Sequence, residues 1–284
     1  MEVKIIKKDN KKYPKRLKEI RNPPKELYVL GDELLLNKVS IAIVGSRDCD
    51  EYGKIQTQRF ASYLSQKGIC IVSGLARGID SYAHYYSKDK AGKTIAVIAS
   101  GFNNIYPPEN TILFDEILKD GGCIISEWPP ETKIDMHRFP VRNRIISGLS
   151  VGILVVEAKY RSGTNITAHE AIKQRREVFC IPGNINSTKS YGSNRLISEG
   201  ASLVTSPKDI VETLEYDNYL IEESNMVKPE YNNIYQLVGS IPITANELSR
   251  KLKIDINEVN EKLLMLEIDG FIQQPTRGKY ILNN

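Results

Sequence analysis

The chain reads as an α/β protein built on a doubly wound parallel sheet and followed by a small winged-helix domain. Three observations lead there. Seven short apolar, β-branched runs alternate with longer amphipathic stretches through the middle of the chain. Several of those runs end in Gly or Ser, where a strand must turn into a helix. After a polar, aperiodic stretch at 217–230, a short segment offers three helix-like patterns and then two strand-like runs.

The strand-like runs are VSIAIVGS (39–46), GICIVSG (68–74), TIAVIAS (94–100), CIISEW (123–128), VGILVVEA (151–158), EVFCIPG (177–183) and ASLV (201–204). Helix-like segments lie between them at Tyr52–Lys67, Arg77–Ala91, Glu109–Lys119, Arg138–Gly148, Thr164–Arg175 and Ser193–Glu199. Near-continuous apolar strands separated by helices signal parallel strands buried on both faces. Right-handed crossovers then place helices on both sides of the sheet. Residues 1–38 read as a lead-in segment packing on a main domain at 39–216, and 217–230 (DNYLIEESNMVKPE) as a linker. In the tail, 231–284, helices are expected at Tyr231–Val238, Thr244–Leu252 and Asn257–Asp269, the last with Val259, Leu263, Leu264 and Leu266 on one face. FIQQ and KYIL around the turn PTRG complete the winged-helix layout.

The 284 residues, 41% hydrophobic and 26% charged, suit one large and one small soluble domain. The net charge is only +4, so an anionic partner must be met by local clusters rather than by a bulk field. The Lys-rich start lacks the apolar core and cleavage site of a signal peptide. No apolar run is long enough to span a bilayer, so a cytoplasmic location without a membrane partner is expected. Cys49, Cys70, Cys123 and Cys180 form no CxxC pair and read as reduced core thiols. His84, His137 and His169 have no zinc-site spacing, and no metal is expected.

The chemistry sits at the strand ends. The first run ends in Gly45-Ser46-Arg47, and a helix starts near Tyr52-Gly53. Loop N–H groups and a helix N-terminus form an anion site, to which Arg47 adds a planar fork for phosphate oxygens. The spacing is not GxGxxG, no acidic residue follows the second strand at Ser73-Gly74, and there is no GxxxxGK[ST]. A dinucleotide and an ATP-hydrolysing loop are thereby disfavoured, and no cofactor is expected. Small residues at Gly45-Ser46, Ser73-Gly74, Ser100-Gly101 and Pro182-Gly183 fit a shared ligand-binding rim, with tight turns alone as the plainer reading.

Further blocks follow in order: Ser73-Gly74-Leu75-Ala76-Arg77-Gly78-Ile79-Asp80-Ser81-Tyr82-Ala83-His84, then Gly101 to Asn110 through Tyr106-Pro107-Pro108-Glu109, then Phe139-Pro140-Val141-Arg142-Asn143-Arg144, then Glu157-Ala158 and Ser162-Gly163-Thr164. In this order and spacing they resemble the DNA-processing protein A family, also called Smf, over roughly 39–216. The lead-in, with Tyr13-Pro14, Pro23-Pro24 and Leu27-Tyr28-Val29, resembles that family too. The resemblance implies an extended Rossmann-like, doubly wound, mostly parallel domain, usually dimeric, with a winged-helix tail in many members. It implies binding of single-stranded DNA and loading of the RecA recombinase in natural transformation, with no catalytic activity. It places Arg47 on DNA phosphate and Phe139 near bound nucleotides. Many members carry a basic residue between Tyr-Pro and the following Asn, where Pro108-Glu109 stand here, so the resemblance does not carry that phosphate contact over to this chain.

The DNA-contacting set expected on these grounds is Gly45, Ser46, Arg47, Gly74, Arg77, Gly101, Asn110, Phe139, Arg142, Asn143, Arg144 and Gly163. A positive groove with aromatic faces is what a single strand needs, and Phe102 and Tyr106 are further candidate faces. Each residue also has a plainer reading. Arg142 and Arg144 can brace the sheet, Phe139 can be core, and Tyr106-Pro107-Pro108 can be a rigid support. Asp80 and His84, one helical turn apart, are expected to share a structural hydrogen bond. Ser162-Gly163-Thr164 with Glu170 also loosely resembles nucleoside-monophosphate phosphoribohydrolases, though Arg161-Ser162 replace a Pro-Gly-Gly run. The tail balances six basic against six acidic residues, which favours a protein contact, such as a further competence protein, or a weak DNA contact over duplex reading.

Overall fold

In the computed structural model, residues 2–217, 219, 229–239 and 241–283 are described, and the linker expected at 217–230 falls mostly outside them. The chain divides into two units, residues 1–213 and 214–284.

The first unit is a nine-stranded sheet with helices on both faces. In chain order it comprises β1 (Lys4–Lys7), α1 (Lys15–Lys18), β2 (Glu26–Gly31), β3 (Ser40–Val44), α2 (Glu51–Gln66), β4 (Cys70–Ser73), α3 (Ile79–Ser87), β5 (Thr94–Ile98), α4 (Thr111–Lys119), β6 (Cys123–Ser126), α5 (Arg138–Leu149), β7 (Gly152–Val155), α6 (Gly163–Lys173), β8 (Glu177–Cys180), α7 (Tyr191–Ser198) and β9 (Ser202–Leu203). Helix α8 (Pro207–Tyr216), which the sequence reading lacked, runs across the division between the units. The strand order is β1-β2-β6-β5-β4-β3-β7-β8-β9. The strands from β3 to β9 are mutually parallel, while β1 and β2 add antiparallel at one edge.

The expected doubly wound, mostly parallel sheet is therefore present. The lead-in, however, does more than pack on it. β2 pairs with β6, Val29 opposite Ile125, and so belongs to the sheet. Its buried Leu27 and Val29 alternate with half-exposed neighbours, a short pattern that follows a lysine-rich stretch. Predicted strands overshoot at their carboxyl ends, because the Gly and Ser residues there leave the ladder to form loops. Helix α3 starts at Ile79 rather than Arg77, since Gly78 at φ +68° marks the turn before it.

Alternation sends Ala42, Val44, Val72 and Val97 to the face covered by α1, α5 and α6, and Ala96, Ile98 and Ile124 to the face covered by α4. The connection from β6 to β7 passes over β5, β4 and β3, and α5 fills it. This crossover brings the start of α5 to the carboxyl ends of the central strands. Cys70, Cys123 and Cys180 are buried as expected, and burial pushes the Cys180 thiol up to about 12. Cys49 is only partly buried and is not a core thiol.

The second unit holds a 3₁₀ turn at Pro229–Tyr231, α9 (Asn232–Tyr235), β10 (Ile243–Thr244), α10 (Ala245–Leu252), α11 (Ile256–Ile268), β11 (Ile272–Thr276) and β12 (Lys279–Leu282). Three helices and a small sheet ordered β10-β12-β11 make the winged helix. Thr244 and Glu247 form a capping box on α10, and Ile234, Leu248, Val259, Leu263 and Leu266 form the core.

Leu17 of α1 is fully buried, and a Cβ on Gly148 would come within 2.8 Å of its side chain. Leu17→Ala should therefore destabilise the first unit by about 3 kcal/mol. The shift of the urea midpoint measures this.

Candidate nucleic-acid interface

The strand order reverses between β3 and β7: the chain proceeds from β3 toward β4 on one side and returns to β7 on the other. Open α/β sheets bind ligands at the carboxyl ends of strands at such a switch point. A cleft of about 420 Å³ opens there, lined by Gly45, Ser46, Arg47, Phe139, Asn143 and Gly163 among others.

Its floor is a buried polar network. Arg142 is 3% exposed, and its Nη1 donates to the carbonyls of Gly74 and Val97, at the ends of β4 and β5. Burial lowers its pKa to about 10, while neighbouring Asp80 opposes the fall. Burial likewise raises Asp80, against the pull of Arg142. The expected Asp80–His84 bond gives way to a division of labour. Asp80 Oδ2 accepts from the Gly74 N–H (3.1 Å), and His84 Nε2 accepts from the Leu75 N–H (3.3 Å). Thr94 Oγ1 donates to the Ile71 carbonyl and so accepts from His84 Nδ1 (2.7 Å), which fixes the tautomer. Burial holds His84 neutral, down to about 3. Asn110 Nδ2 donates to the Leu75 carbonyl (2.9 Å) and to Ser81 Oγ (2.9 Å). Together these groups hold Leu75 at φ +55°.

The exposed layer rests on that floor. Gly78 packs against the Ser46 carbonyl, which also accepts from the Ile79 N–H (3.2 Å), so only a residue without a Cβ fits. Gly45 lies where a Cβ would come within 2.5 Å of Ile79. Ser46 is buried, and its Oγ accepts from Asp48 N–H (3.2 Å). Arg47 is exposed, with its guanidinium 5.5 Å from the centroid of the Phe139 ring. Among the described residues no carboxylate pairs with it. Phe139, half-buried, is also met edge-on by Tyr106 at 5.7 Å. Arg77 is exposed but pairs with Glu109, so the Pro108-Glu109 departure places an acid on a rim cation.

The expected residues thus separate. Arg47, Phe139, Asn143 and Gly163 line the open cleft. Gly74, Asn110 and Arg142 are buried beneath it, and Arg142 takes the bracing role. Gly101 is buried under the Pro129 and Pro130 carbonyls. Phe102 is buried core beside Phe114. Arg144 faces away, paired with Glu127 at 2.6 Å.

Helix N-termini differ from expectation as well. That of α2 is capped by Asp50, whose Oδ1 accepts from Gly53 N–H (3.1 Å). Asp at that position is a sequence-level cap signal that the anion reading passed over. An N-terminus without a side-chain cap is that of α6, where Ser162, Gly163 and Thr164 face the cleft. Lys159, paired with Asp48 at 3.5 Å, and exposed Met136 are cleft residues that sequence reasoning missed. Nothing in their local pattern set them apart.

These features define an open-sheet α/β protein with an arginine and an aromatic ring at its switch point. A family model described as DNA recombination-mediator protein A matches residues 4–215, and one described as DprA winged helix domain matches 224–275. The chain belongs to this family of DNA-processing A proteins. It is 46% identical over 210 residues to the DNA processing protein DprA of Bacillus subtilis, covering 74% of this chain and 70% of that one. It is 37% identical over 278 residues to protein Smf of Escherichia coli, covering 94% and 74%. The X-ray structure of DNA processing protein A from Streptococcus pneumoniae superposes with a TM-score of 0.71 at 40% identity, covering 75% of this chain and 74% of that one. The Helicobacter pylori protein, whose structure concerns its single-stranded DNA binding mode, superposes with a TM-score of 0.69 at 30% identity, covering 76% and 97%. Among the described residues no helix is long and apolar enough to cross a membrane, and no cluster of three or more His, Cys, Asp or Glu could hold a metal.

Glu157, 2% exposed at the end of β7, shares a hydrogen bond with Asp50. Burial and that bond raise Glu157 to about 7, while Asp50 is lowered. An acid raised in the folded state binds its proton more tightly there than in the unfolded chain. Its effect on stability is nil below the ordinary value of 4.5, grows as a loss up to about pH 7, and is constant above. Glu157→Gln, which keeps a donor to Asp50, should remove that loss. The variant should gain about 1–2 kcal/mol over wild type at pH 8 and little at pH 4.5. Denaturant melts at both pH values check this.

Proposed function

We propose that this chain binds single-stranded DNA at the switch-point rim, protects the incoming strand and loads the RecA recombinase onto it in natural transformation and homologous recombination. The observation that carries the reading is Arg47: an exposed guanidinium without a carboxylate partner among the described residues, set over Phe139 beside the open N-terminus of α6. A phosphate meets the guanidinium and the helix N–H groups, while a base meets the aromatic faces of Phe139 and Tyr106. Family membership supports this, and so does the Helicobacter pylori relative, whose described property is single-stranded DNA binding. Gly74, Gly101, Asn110 and Arg142 serve the site from beneath by fixing loop shape.

In this reading the protein is cytoplasmic, acts as a homodimer and has no reaction of its own. The phosphoribohydrolase alternative needs a free carboxylate at Glu170, but that group pairs with Lys173 at 2.9 Å. Release of free base from nucleoside monophosphates would restore that alternative. The winged-helix unit takes a protein contact, such as a further competence protein.

Arg47→Ala should weaken oligo-dT binding at low salt by roughly 10-fold or more, the worth of a charge-assisted hydrogen bond, without lowering the melting temperature. A salt-titrated gel shift measures it, and equal affinity would remove Arg47 from the site. Recombinase loading is tested separately, by the rate of RecA filament assembly on strands coated with single-strand-binding protein. A rate unchanged by this protein would sink that part of the proposal.

A further inference from the structure

The rim uses little of the chain's positive charge. Residues 1–25 carry ten Lys and Arg against three Asp and Glu, a balance of +7, whereas the whole chain is +4. The remaining residues are therefore net −3. Part of this excess meets further cations from α6. A second cleft of about 720 Å³ lies between the segment after α1, the middle of α5 and the end of α6, lined by Arg21, Lys173, Arg175 and Arg176 among others. Helix α6 begins at the rim with Gly163 and ends here with Lys173, so this cleft lies toward the amino ends of the strands, opposite the rim. The helix spans roughly 16 Å between the two.

Two features mark the cleft as more than a solvated surface. Lys173 and Arg176 pair with Glu170 and Glu19, but Arg21 and Arg175 are exposed, with no carboxylate partner among the described residues. Arg175 also stands at φ +57°, one residue beyond the Gln174 cap of α6, where glycine is the relaxed choice. A side chain kept in a left-handed conformation points to a use for that side chain. The walls hold buried polar atoms without a partner among the described residues, Gln174 Oε1 and Arg176 Nε.

We propose that this cleft is a second phosphodiester site, to which a single strand held at the rim continues along α6. Planar guanidinium forks suit phosphate oxygens, and a flexible backbone can follow a helix that joins two positive clefts. The inference rests on the rim reading, and its test separates the two.

The experiment is a salt titration of binding to an oligo-dT of about 25 nucleotides, long enough to pass both sites at roughly 3.4 Å or more per nucleotide. The variant pair Arg21→Ala and Arg175→Gly removes both unpaired cations, and glycine at φ +57° relaxes the backbone, so the melting temperature should hold or rise. The slope of log affinity against log salt should fall in magnitude by about 1.4 for the double variant and by about 0.7 for Arg47→Ala. A double variant with the wild-type slope overturns the second site. Loss of binding in the double variant with none in Arg47→Ala would leave the second site standing and overturn the rim. A poly-glutamate peptide bound by wild type but not by the double variant, with oligo-dT binding unchanged, would assign the cleft to an acidic protein and overturn the proposal.

Discussion

The guanidinium of Arg142 is the contact on which the rim depends. It lies under the carboxyl ends of β4 and β5 and donates to a carbonyl at each. Burying an arginine is expensive unless its donors are satisfied and an opposite charge is near. Here Nη1 meets two carbonyls and Asp80 stands near, while Nε is buried without a partner among the described residues. The result is that α5, which has crossed three strands to reach its place, is pinned at one end. Phe139 lies one turn earlier on the same helix and is positioned by that pin. Removing the guanidinium would leave two strand-end carbonyls without their donor and take a positive charge from beside the buried Asp80, and would free the helix start that carries the ring.

The site therefore has two layers with different chemistry. Below are Asp80, His84, Asn110 and Arg142, each buried and each engaged with backbone. They hold a turn that Leu75 would not adopt unaided. Above are Arg47, Phe139, Asn143 and Gly163, open to solvent or half so. The lower layer supplies shape and the upper layer supplies contact. A strand-end loop needs both, because an exposed arginine on a loose loop would lose much of its orientation on binding.

The sheet was largely readable from the sequence, since β-branched runs such as Ile41-Ala42-Ile43-Val44 leave little choice but burial on both faces. The edge strands were not, because β1 has one buried side chain among lysines and β2 alternates over too few residues. At the site, Arg47 and Phe139 could be named from motif and residue type. Which arginines face out could not. Arg142 and Arg144 stand two apart on α5 and so point to different sides, one into the floor and one toward Glu127. That separation follows from helical geometry only once the register of α5 on the sheet is known. Glu109, whose carboxylate meets Arg77 across 32 residues, belongs to the same class of information. So does the Asp50–Glu157 pair, since nothing local in a sequence announces a partner that far away.

The edge strand β2 has a consequence for how the chain is made. It pairs with β1 on one side and with β6 on the other, and β6 is completed only at Ser126. At ordinary rates of synthesis, about 5–20 residues per second, the ribosome takes roughly 5–20 seconds to travel from Gly31 to Ser126. Throughout that interval Leu27 and Val29 can join no more than a two-stranded hairpin, which is marginally stable in water. Lys4 and Lys7 on β1 and Lys25 before β2 are charges of the kind that keep such an edge from recruiting other chains.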